Sequence, residues 1–312
     1  MAHVYTEESN FEDIANAIRE KNGTDNTYAP SEMASAIEDL KVGELDFYSI
    51  YDQERADELN QFYKDDIAYA KEIKRNWNEN NDKCIFNDKN IVYFPNINVG
   101  NCNTLKFNGC TNLVYMPKNM DFSNVVNFMQ AWHECTELQY LPDVINLKSA
   151  KICNRIINNC PRLKKMPLFI NSEGVEDFQF AFSNLKLDSI TINTDSCKNL
   201  NGICYASKYK NIILSSIRNA TYLNNSFYNC TELIELRFIE WKQTNISLVN
   251  SSKLSAESID HNIENAIDKE DGATDRTLQL HATAGANWDA NSKYQGEERK
   301  LLLTQKGIEV TW

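Results

Sequence analysis

The chain has 312 residues, 42% of them hydrophobic, and a formal net charge of −12. That length and apolar content describe an ordered, soluble protein able to bury a substantial core. Counting Lys and Arg against Asp and Glu gives −6 for residues 1–43, −5 for 44–100, +3 for 101–250 and −4 for 251–312. Acidic flanks around a nearly neutral middle argue against nucleic acid as the partner, since that would want a basic stripe.

Residues 1–43 read as a small helical module. Ser9 and Glu12 form a capping box in front of a helix whose apolar stripe is Phe11, Ile14 and Ile18. Asn22 and Gly23 end it, and a second short helix places Met33, Ile37 and Leu40 on one face before Gly43. Helices this short are marginal alone, so they dock on each other, on the next segment or on a partner.

Residues 44–100 carry a longer predicted helix, Asp52 to Asn78, acidic at its start and basic at its end. Ala56, Leu59, Tyr63, Asp66, Ala70, Ile73 and Trp77 follow heptad spacing with a carboxylate on the seam. Two arrangements fit: a parallel coiled coil holding an oligomer, or a helix packed against the repeats that follow. The run from Ile91 to Phe94 supplies an entering strand.

From 101 to 250 one phrase recurs. It stands as CTNLVYMP at Cys110–Pro117, CTELQYLP at Cys135–Pro142, CPRLKKMP at Cys160–Pro167 and CTELIELR at Cys230–Arg237. Two copies lack the cysteine, NLKLDSI from Asn184 and ASKYKNI from Ala206. Such a period marks stacked repeats of about 22–25 residues. Three columns stay apolar or small. They are Phe107, Trp132, Ile157, Ala181, Ile203 and Phe227; Leu113, Leu138, Leu163, Leu187, Tyr209 and Leu233; and Met116, Leu141, Met166, Ile190, Ile212 and Leu236. These are inward rungs, each contributing about 1.5–3 kcal/mol once a neighbouring coil covers it.

Alternation after each anchor predicts a short strand per coil, hence a parallel strand face. The residues between the last two rungs then point outward: Tyr115, Tyr140, Lys165, Ser189, Asn211 and Glu235. Two tyrosines followed by a lysine form a candidate binding stripe, because tyrosine gives amphipathic contact area at low entropy cost. Trp132 falls on a rung, and His133 beside it reads as solvated.

The chain has nine cysteines and no Cys-x-x-Cys pair. Cysteines at the repeat anchor read as small buried residues, while Cys84, Cys102 and Cys197 stay open to a disulfide. The four histidines lack ligand spacing with any cysteine pair, so neither a metal nor a cofactor is expected. No nucleophile motif, phosphate loop or metal cluster is present. Asp188 and Glu235, on the predicted face, stand two coils apart, too far to act as a catalytic pair. No enzyme is expected.

Residues 251–312 form an α/β cap. An amphipathic helix runs from Leu254 to Ile267 with Ile259, Ile263 and Ile267 on one face. A strand from Thr277 to Ala282, a charged helix and a final strand from Ile308 complete an atypical terminal unit. The first residues have neither a basic nor an apolar signal region, and no apolar run approaches a membrane span.

The stretch from Asp121 to Leu138, DFSNVVNFMQAWHECTEL, resembles the BspA-like bacterial leucine-rich repeat, whose form runs DTSNVTNMxxMFxxCxxL. The copies near 184 and 206 depart from it and lack the cysteine. Ile14–Gly23 (IANAIREKNG), Pro30–Ile37 (PSEMASAI), Leu254–Ile259 (LSAESI) and Thr277–Thr283 (TLQLHAT) are similar to modules of tail-associated proteins in phages and prophages of gut bacteria. The resemblance implies an α+β repeat solenoid: a leucine-rich-repeat array with a helical N-terminal module and an α/β C-terminal cap. It further implies a non-enzymatic tail fibre or baseplate protein in the virion, made in the host cytoplasm. Residues 1–43 would attach to other tail proteins, and the repeat face would meet a bacterial cell-surface glycan or protein, with a homo-oligomer allowed. Two alternatives stand beside this: a bacterial surface or secreted leucine-rich-repeat adhesin, and a structural spacer in a virion.

Overall fold

Short runs of alternating apolar and polar residues give short strands, and the chain pairs them in parallel. The computed structural model describes residues 83–86, 89–94, 102–118 and 120–312. Strands β1 (Lys83–Ile85) and β2 (Thr104–Lys106) pair in parallel, as do β3 (Val144–Asn146) and β4 (Leu168–Ile170). Strands β5 (Ser189–Ile192), β6 (Asn211–Ser216) and β7 (Glu235–Ile239) form a three-stranded parallel sheet with β6 in the centre. None of these sheets closes into a barrel.

Isolated bridges extend the order beyond the strands. Thr104, Asn127, Ile152, Asp177, Asn199 and Tyr222 are linked in succession by parallel bridges, as are Tyr93, Tyr115 and Tyr140. Each bridge joins residues 22 to 25 positions apart, so the chain returns to the same place once per phrase. We call each return a tier. Seventeen of the eighteen sequence-read rungs are buried; Met166 is only partly covered. Phe86, Phe107 and Trp132 stack along the core with ring centroids 4.8 and 6.4 Å apart.

The tiers correct the frame of the two copies lacking cysteine. Gly109, Glu134, Asn159, Asn184, Ala206 and Asn229 all have positive φ, between 54° and 72°. From Gly109 to Ala206, each donates its N–H to the tier beyond: to His133, Asn158, Ser183, Tyr205 and Tyr228 in turn. These six are therefore one column, and it precedes the cysteine. Asn184 and Ala206 belong to it. Asn184 is exposed and Ala206 half-buried, so the true counterparts of the cysteines are Leu185 and Ser207, both buried. By the same register Phe182 and Cys204, not Ala181 and Ile203, continue the column of Phe107, Trp132 and Ile157. A one-residue deletion after the anchor restores the strand positions, which is why the downstream rungs line up from sequence.

Four residues earlier, Gln130, Arg155, Phe180, Gly202 and Asn225 also have positive φ, 50–63°. This backbone costs an L-residue about 1–2 kcal/mol, and the inter-tier hydrogen bonds along both columns offset it. At Gly202 a side chain is doubly opposed, since a Cβ would lie 2.3 Å from the Phe180 ring.

The anchor thiols are more than fillers. Cys135 donates to the Phe107 carbonyl at 3.2 Å, Cys160 to Trp132 at 2.9 Å and Cys230 to Cys204 at 3.1 Å. Ser207 makes the same bond to Phe182 at 2.9 Å, and its Oγ also accepts from the Leu185 N–H at 3.1 Å. Five of the six residues in the column, all but Leu185, thus carry a small side chain with one donor. Cys84 and Cys102 are joined by a disulfide, Cα atoms 5.9 Å apart, while Cys197 is free and buried.

Beyond the tiers come β8 (Ile246–Leu248), α1 (Ala256–Glu264), β9 (Arg276–Leu280), α2 (Ala282–Asn291), α3 (Gly296–Lys306) and β10 (Ile308–Thr311). β9 lies between β8 and β10, all parallel. Helix α1 is shorter than the Leu254–Ile267 expectation: Ser255 caps it, accepting from the Ser258 N–H, and Asn265 ends it. Helix α2 was not foreseen, because only Ala284, Gly285 and Trp288 are buried on it, too few for an apolar stripe.

Two buried charges hold this cap. Arg276 is 2% exposed; its guanidinium donates to the carbonyls of Trp241 (2.7 Å), Lys242 (2.8 Å), Ile267 (2.7 Å) and Lys306. Burial draws its pKa down to about 10, against the pull of Asp268 and Asp275, so it stays charged at neutral pH. Asp260, 4% exposed, accepts from Trp288 Nε1 at 2.7 Å, Ser292 Oγ at 2.6 Å and the Lys293 N–H at 2.9 Å. The expected helices of 1–43 and Asp52–Asn78 lie outside the described residues.

Candidate functional site

The six candidate residues follow one line across the tiers, and the structure treats them unequally. Tyr93, Tyr115 and Tyr140 are bridged in succession, and Ser189, Asn211 and Glu235 are register partners in β5, β6 and β7. Between the two halves, the Lys164 N–H donates to the Gln139 carbonyl at 3.0 Å.

Tyr115 does not point outward: it is 3% exposed. Tyr140 is half-buried. The expected pair of exposed tyrosines is therefore absent from this stripe. Lys165 is open, its Nζ 3.8 Å from Asp143, which also meets Lys118 at 3.2 Å. Ser189 is exposed; Asn211 and Glu235 are half-buried, and Glu235 is paired with Arg237. His133, expected to be solvated, packs with Nδ1 3.4 Å from the Asn158 carbonyl and Nε2 3.6 Å from Glu134.

The open surface lies one residue earlier. Lys164, Asp188, Lys210 and Ile234 are exposed in the column just before the candidates. A shallow basin of about 430 Å³ is lined by Gln139, Pro161, Arg162, Leu163, Lys164 and Lys186. Arg162 bridges to Glu137 one tier back, and Lys210 to Asp188 at 3.0 Å. Sequence reasoning missed Arg162, Lys164, Lys186 and Lys210. The available signal was that two residues, not one, separate the successive rungs, so both could face solvent.

Burial pushes the thiols of Cys160, Cys197 and Cys230 up to about 12, and those of Cys135, Cys153 and Cys204 up as well. Burial thus favours their protonated form at neutral pH. Among the described residues no group of three or more His, Cys, Asp or Glu is placed to hold a metal. No described helix is long and apolar enough to cross a membrane. What the surface offers is contact area: a polar, locally basic face built of fixed tiers. No family model, curated protein or solved structure matches the chain.

Proposed function

We propose that this chain is a leucine-rich-repeat solenoid of the BspA-like kind, acting without catalysis as a tail fibre or baseplate component of a phage. In this reading the repeat face contributes to recognition of the bacterial host surface. Residues 1–43, outside the described residues, attach to the remainder of the tail, and nucleic acid is not a partner.

The observation that carries the reading is the contrast between columns. The rung columns stay apolar or aromatic from tier to tier, whereas the outward column changes from Gln139 to Lys164, Asp188, Lys210 and Ile234. A rigid scaffold presenting varied side chains at a fixed spacing of about 4.8 Å is suited to binding an extended surface ligand. The likeness of the terminal phrases to phage tail modules supports the virion setting.

The test is adsorption of labelled full-length protein to intact candidate host cells, alongside the double variant Lys164→Glu/Lys210→Glu. Saturable binding by the native chain, weakened at least tenfold in the variant, is the expected outcome. Equal binding by both would leave the array as a spacer.

A further inference from the structure

The ladder of bridges from Thr104 ends at Tyr222. One further step of 22 to 25 residues reaches the stretch 244–247, where β8 begins. Yet β8 pairs with β9, and among the described residues no bridge joins it to Tyr222. Where the next tier would have closed, the surface holds a cleft of about 640 Å³ between the Leu223–Asn225 turn and the β8–β9–β10 sheet. That volume lies within the range of small-ligand sites, about 300–1,000 Å³.

The lining of this cleft is chemically uniform. In a chain that is 24% charged, none of the described residues lining it is charged; amides and hydroxyls predominate. Asn245 Oδ1 accepts the Thr277 N–H at 2.8 Å, which fixes the amide and leaves its NH₂ group to donate. Ser247 Oγ donates to Gln279 Oε1 at 3.2 Å, orienting that amide in the same way. The side-chain amides of Asn224 and Asn225 make no hydrogen bond among the described residues, and Asn225 is held at φ 56° by the tier geometry.

We infer that this cleft is a binding site for a neutral saccharide of one to three units. Sugar hydroxyls both donate and accept, and so do side-chain amides and hydroxyls held by a second hydrogen bond. An ionic ligand would find no counter-charge in this lining. The inference rests on the reading of the chain as a surface-binding protein only for the source of the sugar; the site itself is separate from the repeat face.

The experiment is titration calorimetry of the full-length protein with a panel of neutral mono- and disaccharides of hexoses and N-acetylhexosamines, plus a uronic-acid disaccharide. At least one neutral sugar is expected to bind. The exposed substitutions Gln279→Ala and Asn225→Gly should each weaken it about tenfold with unchanged melting temperature, and Lys164→Glu should leave it unchanged. Binding of no neutral sugar, preference for the uronic acid, or undiminished binding by both site variants would overturn the inference. Those outcomes with host-cell adsorption intact would leave the recognition role standing. Sugar binding without cell adsorption would remove that role and keep the site.

Discussion

The tiers and the cap are held by different physics. Across the tiers the buried side chains are uncharged: apolar rungs, stacked rings, and thiols or hydroxyls donating to the carbonyl of the tier before. The cap instead relies on Arg276 reaching four carbonyls and Asp260 accepting three hydrogen bonds. A repeated unit meets the same neighbour at each step, so one inexpensive contact suffices many times. The α/β unit after the tiers occurs once among the described residues and meets a unique edge, and directional, charge-assisted bonds define that fit.

The contrast is open to test. Trp132→Ala empties the largest rung, fully buried between Phe107 and Phe122. A loss of about 4 kcal/mol is expected, read as a lower urea midpoint for the tiers. Arg276→Ala leaves four carbonyls, one buried and three partly buried, without their donor and should cost about 3 kcal/mol. Its mark should be localised, with amide exchange rising across 256–311 while the tiers keep their protection. Uniform loosening would mean that the two regions are one cooperative unit.

Within the anchor column, Ser207→Ala removes a donor and an acceptor together and strands the Leu185 N–H, at about 2 kcal/mol. Cys135→Ser keeps a donor of similar size and should cost under about 1 kcal/mol. If both substitutions cost the same, the column would be selected by volume alone.

The smallest effect is with pH. Glu264 is held below the usual carboxylate range: burial raises its pKa, and hydrogen bonds from Lys293 and Tyr294 outweigh that. Asp268 is lowered by Lys306 and then Gln305. Because the folded pKa values are depressed, this stabilisation is complete above the ordinary value of about 4 and is lost as pH falls through the folded values. Tryptophan fluorescence from Trp288 should shift in acid before amide protection in the tiers declines. Simultaneous loss would show that these pairs do not govern the cap.

The rungs were legible because burial leaves a periodic trace. Leu113, Leu138, Tyr209 and Leu233 lie inside as their spacing demands. The anchor at 184 and 206 was misplaced by one because the cysteine is replaced there by Leu185 and Ser207, while Asn184 and Ala206 belong to the positive-φ column before it, whose Gly109, Asn159, Asn184 and Asn229 are types that tolerate that backbone. The binding stripe was only partly legible. Which of two residues between rungs faces water depends on the packing of adjacent tiers, and that packing buries Tyr115 while leaving Lys164 exposed.

The sequence by itself determined the period, the inward columns and an atypical end, since all three follow from apolar spacing along the chain. Only the tertiary structure decided that anchor thiols bond to the preceding tier, that a buried arginine ties the cap, and that the bridge ladder stops at Tyr222. Each of these depends on which distant backbone groups come within about 3 Å, a relation that local pattern does not encode.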